Sequence, residues 1–340
     1  MSQPLRIAAT SHTFHYVQEL YRPLEGQVEL TGWPLDVWEN LVELSRRLDG
    51  IDVLHLHWPE LSFGLAPSRV RDVIDMLRDA RIPVVWTAHD ATPHRIEPGT
   101  PHEVYALWAG AAAGVIHHSE WGMAEMRKLY AFNPAAEHRV IYHPPWRRKL
   151  VSKGAGSRAE AEASFGLAPC ALRIGIHGAP RPAKDVQMAM DAFAACKRAD
   201  FQLFVASLAD ETVPDDPRIT AIPHKWRGRD DFKLMLQLID VFLFLHREGG
   251  STLTTGLPAD AITLGKPMIV SDFPYFREVL GDAGIPYGIS REDLTACLDN
   301  LDEETLSAAT ARTVALGTRY SWPAAAAQTL ELLTTVQHRA

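Results

Sequence analysis

The chain of 340 residues is short of cysteine, of long apolar runs and of positive charge, and each shortage closes off a class of protein. Its three cysteines, Cys170, Cys196 and Cys297, are odd in number, far apart and in no CxxC pair. That disfavours a disulfide framework and a zinc knuckle, and makes the cytosol the simplest home. Nowhere do 18 consecutive apolar residues occur, and MSQPLRIAATSHTF lacks a basic segment leading into an apolar one, so neither spanning nor secretion is expected. A formal charge of −8 argues against a sequence-independent nucleic-acid binder, and leaves anionic ligands to local positive groups. The loop TSHTFHYVQ after the first expected strand carries His12 and His15 but no glycine, so a dinucleotide fingerprint is absent there. No HExxH or spaced Cys/His set is present, so neither a metal nor another cofactor is expected.

What is present is an ordinary globular composition, 46% hydrophobic and 22% charged, over a length that at about 100–200 residues per domain suggests two domains. Apolar strands alternate with amphipathic helices. LRIAA (5–9), IDVLHLHWPE (51–60, stopped by Pro59), IPVVWTAHD (82–90), GVIHHSE (114–120) and RVIYHPP (139–145) read as strands. Helices are expected over Trp38–Leu48 and Ser68–Ala80, the second capped by Ser68. From Pro144 to Gly166 charge, Gly and Ser replace apolar periodicity, which reads as a linker. Its Trp146, Arg147, Arg148 and Lys149 fit a solvated linker or a contact with an anionic membrane surface. A second series follows: strand and loop LRIGIHGAPRPAKD (172–185), strands FQLFVAS (201–207) and VFLFL (241–245), and a closing helix after Trp322. The expected division is 1–150, linker 151–168, 169–315, and 316–340 packing back toward the first domain. Strands alternating with helices imply parallel sheets, whose ligands gather at strand C-termini.

The stretch HREGGSTLTTGLPADAITLGKPMIVSD (246–272) organises the second half as strand, loop, helix and strand. Gly249 to Ser251 and Thr254 to Gly256 bring free backbone N–H groups to the helix start, an arrangement that attracts phosphate, with Thr255 as the expected N-cap. Asp260, one turn in, can reach a ribose diol or favour the helix N-terminus, and Glu248 is the other acidic member. Arg181 and Lys184 in HGAPRPAKD pair a bidentate fork with a point charge, which suits a diphosphate. In the first half, His89 and Asp90 end one strand and His118 and Ser119 another. Imidazole can donate or accept a proton near neutrality, and a carboxylate can act as base toward a hydroxyl. A hydrogen-bonded structural histidine is the alternative, preferred for His55, His57 and His117 but not for His89.

RPAK, GLPADAITLGKP, the closing SWPAAAAQTLELL helix and the strands HLHWPE, TAHD, VIHHSE and RVIYHPP together resemble GT-B glycosyltransferases, with glycosyltransferase family 4 and bacterial exopolysaccharide transferases nearest. The resemblance covers residues 51–335. It implies an α/β protein of two Rossmann-like parallel-sheet domains facing a cleft. It also implies transfer of a sugar, a hexose expected, from a UDP- or GDP-linked donor to a hydroxyl of a glycan or lipid-linked saccharide, in the cytoplasm or peripherally at the inner membrane face. Arg181, Lys184, Thr254, Thr255 and Gly256 match the diphosphate cradle, and His89 the histidine that reaches the donor sugar. Asp260 takes the place of the second of two family carboxylates, but Thr252 stands at the first, leaving Glu248 as a candidate for its place. The alternative function is a non-catalytic nucleotide-sugar-binding partner protein.

Overall fold

The computed structural model describes residues 3–93, 100–147, 154, 156–181, 184–223, 228–246 and 253–339. The candidates Glu248 and Ser251, together with Thr252, Arg148 and Lys149, lie outside the described residues. Among the described residues twelve strands form two parallel sheets. The first contains β1 (Leu5–Ala9), β2 (Val28–Thr31), β3 (Val53–His57), β4 (Val84–Thr87), β5 (Gly114–His117) and β6 (Glu137–Val140), in the order β2-β1-β3-β4-β5-β6. The second contains β7 (Leu172–Ile176), β8 (Phe201–Leu208), β9 (Ile219–Pro223), β10 (Val241–Phe244), β11 (Met268–Ser271) and β12 (Gly284–Tyr287), in the order β12-β11-β10-β7-β8-β9. Both are Rossmann-like. Strand order reverses once in each, between β1 and β3 and between β7 and β10. Such switch points leave a crevice beyond the strand C-termini, where α/β proteins hold ligands.

VLHLH, VVWT, VFLF and MIVS are buried along their whole length, without alternation, because helices cover both faces of a parallel sheet. Trp86, Trp108 and Tyr105 fill the first core, and Phe193, Leu203 and Leu243 the second. Burying one such aliphatic or aromatic side chain contributes about 1.5–3 kcal/mol. By density of contacts the chain divides into a unit of Met1–His143, Ser251–Thr254 and Ser321–Ala340, and a unit of Pro144–Gly250 and Thr255–Tyr320. The closing helix Trp322–Gln337 counts with the first unit, where Leu332 and Val336 pack so close to Gly114 that a Cβ there would stand 3.2 Å from each.

Several expectations are corrected. Trp38–Leu48 is not one helix: Asn40 leaves helical geometry (φ −108°) and its side chain accepts hydrogen bonds from Val42 and Glu43 N–H, starting a new helix at Leu41. Ser68 does not cap its helix, which begins at Pro67, a residue suited to a first turn that needs no N–H. Pro59 likewise opens a short helix, Pro59–Phe63. The segment read as linker contains the helix Arg158–Phe165, closed by a Ser157/Glu160 capping box and tied down by Arg158 to Asp240 and by Glu162 to Arg173. Strands β2, β9 and β12 and the helix Glu303–Arg319 escaped the sequence reading.

Candidate functional site

In the first unit the loops beyond β1, β3, β4 and β5 bring together a cluster of imidazoles. Thr10 locks the switch point: its Oγ1 donates to the His57 carbonyl (2.8 Å) and accepts from His57 N–H (2.7 Å). His55 and His57 share a face of β3 because side chains alternate along a strand, and the register sets His57 opposite Thr87, so that His89 lies within reach two residues on. Nδ1 of His57 is 3.1 Å from Nε2 of His89. His55 bonds Tyr21 through Nδ1 and Thr87 through Nε2. His118 donates from Nδ1 to the Ile141 carbonyl at 2.7 Å, which leaves its Nε2 as a buried acceptor without a described partner. Tyr16 sits edge-on to His89 (4.9 Å) and His118 (5.2 Å).

Burial holds these imidazoles neutral. It pushes His118 down to about 4 and His55 to about 3, and takes His57 and His89 well below the ordinary histidine value, with the positive form of neighbouring imidazoles adding to the effect. Trp58, a non-glycine residue in left-handed conformation (φ 42°), stacks on His89 with ring centres 3.9 Å apart and planes within 9°. Backbone conformations of that kind cost about 1–3 kcal/mol and collect at ligand sites. Asp90 is buried next in sequence to His89. Among the described residues no three His, Cys, Asp or Glu side chains are placed to hold a metal ion.

The second unit presents a different chemistry at its switch point. Beyond β7, Lys184 turns back so that Nζ donates to the carbonyls of Ala179 (2.9 Å) and His177 (3.2 Å). Burial lowers its pKa to about 8, and Arg181 adds a second, repelling cation. No carboxylate pairs with Lys184 among the described residues. Gly178 is required between them: its φ is +88°, and a Cβ there would stand 2.7 Å from Leu257 Cδ2 and 3.1 Å from Lys184 Nζ. The β7 loop, Lys184 and the first residue of helix Leu257–Leu264 therefore meet at one point. Gly256, not Thr255, is the N-cap of that helix and supplies no side-chain bond; Thr255 Oγ1 instead accepts from Leu257 N–H at 3.3 Å. Asp260 is buried and bonded to His177 Nε2 at 3.0 Å, with its pKa raised by burial and partly restored by that histidine. Beyond β10, His246 is buried against Phe273 and Phe276 and pushed to about 3 by burial, then by Lys184 and Arg181.

Of the sequence candidates, His89, Asp90, His118 and Thr254 belong to the first unit, and Arg181, Lys184, Thr255, Gly256 and Asp260 to the second. Gly178, His177, His246, Trp58 and Tyr16 were missed. HGAP after a strand was a signal for Gly178, since a glycine there marks a positive φ or a close backbone approach.

No protein-family model matches the sequence, and comparison with curated proteins finds no match. Solved structures do match. HepE of Anabaena, in complex with UDP and glucose, superposes with a TM-score of 0.73 at 13% identity over 97% of this chain and 100% of its own. Sucrose-phosphate synthase of Thermosynechococcus elongatus gives 0.67 at 14% over 99% and 100%. A UDP-forming trehalose-phosphate synthase of Burkholderia xenovorans gives 0.67 at 11% over 99% and 99%. The fold is GT-B. Identities this low establish the GT-B fold alone, and this chain's activity has to be argued from its own residues.

Proposed function

We propose that this GT-B protein is a glycosyltransferase that moves a hexosyl group from a nucleoside-diphosphate sugar to a hydroxyl of a glycan or lipid-linked saccharide. The observation that carries the reading is Lys184: a half-buried ammonium at the switch point of the second sheet, bonded only to carbonyls among the described residues and accompanied by Arg181. A buried charge is stable when paired, and a diphosphate arriving beside Lys184 and the N-terminus of helix Leu257–Leu264 supplies the pair. In transfer the bond between the anomeric carbon and the diphosphate oxygen breaks, the acceptor oxygen takes the carbon, and the acceptor's proton ends on the released nucleoside diphosphate or in solvent. Lys184 and Arg181 stabilise the charge that grows on the departing diphosphate.

HepE binds UDP and UDP-glucose, which makes a UDP-linked hexose the first donor to try. Neutral His89 and His118 offer hydrogen-bonding groups to a hydroxyl-rich ligand, and neither needs a metal. No described helix is long and apolar enough to cross a membrane. A thermal-shift panel of UDP, GDP, ADP, TDP and their glucose conjugates, followed by assay of nucleotide release, tests the reading, because a ligand of the native state raises the transition by mass action. Arg181→Ala and Lys184→Ala are expected to lose transfer while remaining folded; normal turnover in both sinks the assignment. Binding of UDP-glucose without hydrolysis or transfer would instead identify a non-catalytic nucleotide-sugar-binding protein.

A further inference from the structure

His57 and His89 are joined nitrogen to nitrogen, Nδ1 to Nε2, at 3.1 Å. Both rings are buried and both are neutral, so one of the two nitrogens carries a proton and the other a lone pair. Two arrangements satisfy that bond. If His89 donates from Nε2, His57 must carry its own proton on Nε2, and that nitrogen is buried with no hydrogen-bond partner among the described residues. If His57 donates from Nδ1, its proton is in use and only a lone pair is left without a partner. An orphaned buried N–H is the rarer and costlier state, so the second arrangement wins. His89, accepting at Nε2, then has to carry its proton on Nδ1.

The surroundings keep the ring where this matters. Trp58 stacks on the His89 face at 3.9 Å, and Tyr16 meets it edge-on at 4.9 Å with planes 87° apart. Thr10 brackets the His57 backbone from both its N–H and its carbonyl, so the donor is fixed as well. We infer that His57 is a positioning residue that holds His89 in the Nδ1–H tautomer, so that His89 meets its ligand as a hydrogen-bond donor and not as a proton acceptor. The tautomer stands on the hydrogen-bond geometry and on the burial that keeps both rings neutral; its consequence for turnover rests on the function proposed above.

Long-range ¹H–¹⁵N correlation spectra of protein labelled at histidine read the tautomer directly, with His89→Gln identifying the signals by their loss. Wild-type protein is expected to show His89 protonated at Nδ1. His57→Asn, whose amide N–H occupies the place of Nδ1–H, should keep that state, and His57→Leu should shift His89 toward Nε2–H. With UDP-glucose as donor, kcat of His57→Leu should fall about 10–100-fold, the range seen when the outer partner of a metal-ligating histidine is removed, while KM for UDP-glucose stays within about twofold and His57→Asn is largely rescued. An Nε2–H spectrum for His89 in the wild type, or an unchanged Nδ1–H spectrum in His57→Leu, overturns the inference. A wild-type Nδ1–H spectrum in a protein that turns over no nucleotide sugar supports the tautomer and refutes the functional reading instead.

Discussion

The two sheets share one plan, and the loops at their switch points have opposite electrical character. Beyond β7 stand two cations, Arg181 and a half-buried Lys184 that no described carboxylate pairs. Beyond β1, β3, β4 and β5 stand buried imidazoles that carry no charge at neutral pH. A cation kept from water at low local dielectric anticipates an anion, whereas a neutral imidazole of fixed tautomer anticipates a hydroxyl. On the function proposed above, the same fold prepares one unit for a diphosphate and the other for an uncharged polar ligand, through a few side chains at equivalent strand ends.

Acid should separate the two units most strongly. His55, His57, His89, His117 and His118 bind a proton in the unfolded chain near the ordinary value but resist it in the fold. Below about pH 6.5 the unfolded state therefore holds more protons, and the first unit loses stability as pH falls, by at most about 1.4 kcal/mol per pH unit for each histidine. Seven of the nine tryptophans belong to that unit, so thermal unfolding followed by tryptophan fluorescence should show a falling transition between pH 7 and 5. A transition independent of pH in that window breaks the contrast.

Lys184→Ala comes next. Loss of a hydrogen bond to a charged group costs about 1.5–3 kcal/mol, so UDP affinity measured by calorimetry should drop roughly 10–100-fold. His89→Ala should leave UDP affinity unchanged and lower transfer, which sharpens the division of labour. Gly178→Ala should act more mildly: a side chain at φ +88° against Leu257 is expected to cost about 1–2 kcal/mol, visible as a fall in Tm of roughly 2–8 °C together with weaker UDP binding. Wild-type stability and affinity in that variant would show that β7 and the helix start do not depend on the close approach.

The central strands were legible because they are apolar throughout and end in polar residues, as parallel strands covered on both faces must. The edge strands β2 and β9 were not, since each is partly exposed and short, and VELT and ITAIP carry no strong period. Asn40 hid a break inside a plausible apolar spacing because its capping bonds outweigh helix continuity. The placement of Arg181 and Lys184 just beyond β7 could be read from charge and position alone. The His57–His89 bond could not, because it depends on the register between β3 and β4, and the partnership of Asp260 with His177 depends on two elements 83 residues apart.

The central claim is that the second unit's switch point takes a diphosphate onto Lys184, and proton uptake on binding tests it most directly. Burial lowers Lys184 to about 8, so near pH 8 part of the free protein lacks the charge; a bound diphosphate favours the charged form and draws the missing proton in. Calorimetric titration of UDP at pH 8, in buffers of different ionisation enthalpy, should show net proton uptake on binding by the wild type, and markedly less by Lys184→Arg, whose guanidinium stays charged throughout. Binding of UDP with the same uptake in both proteins, or no binding by the wild type, would contradict the account.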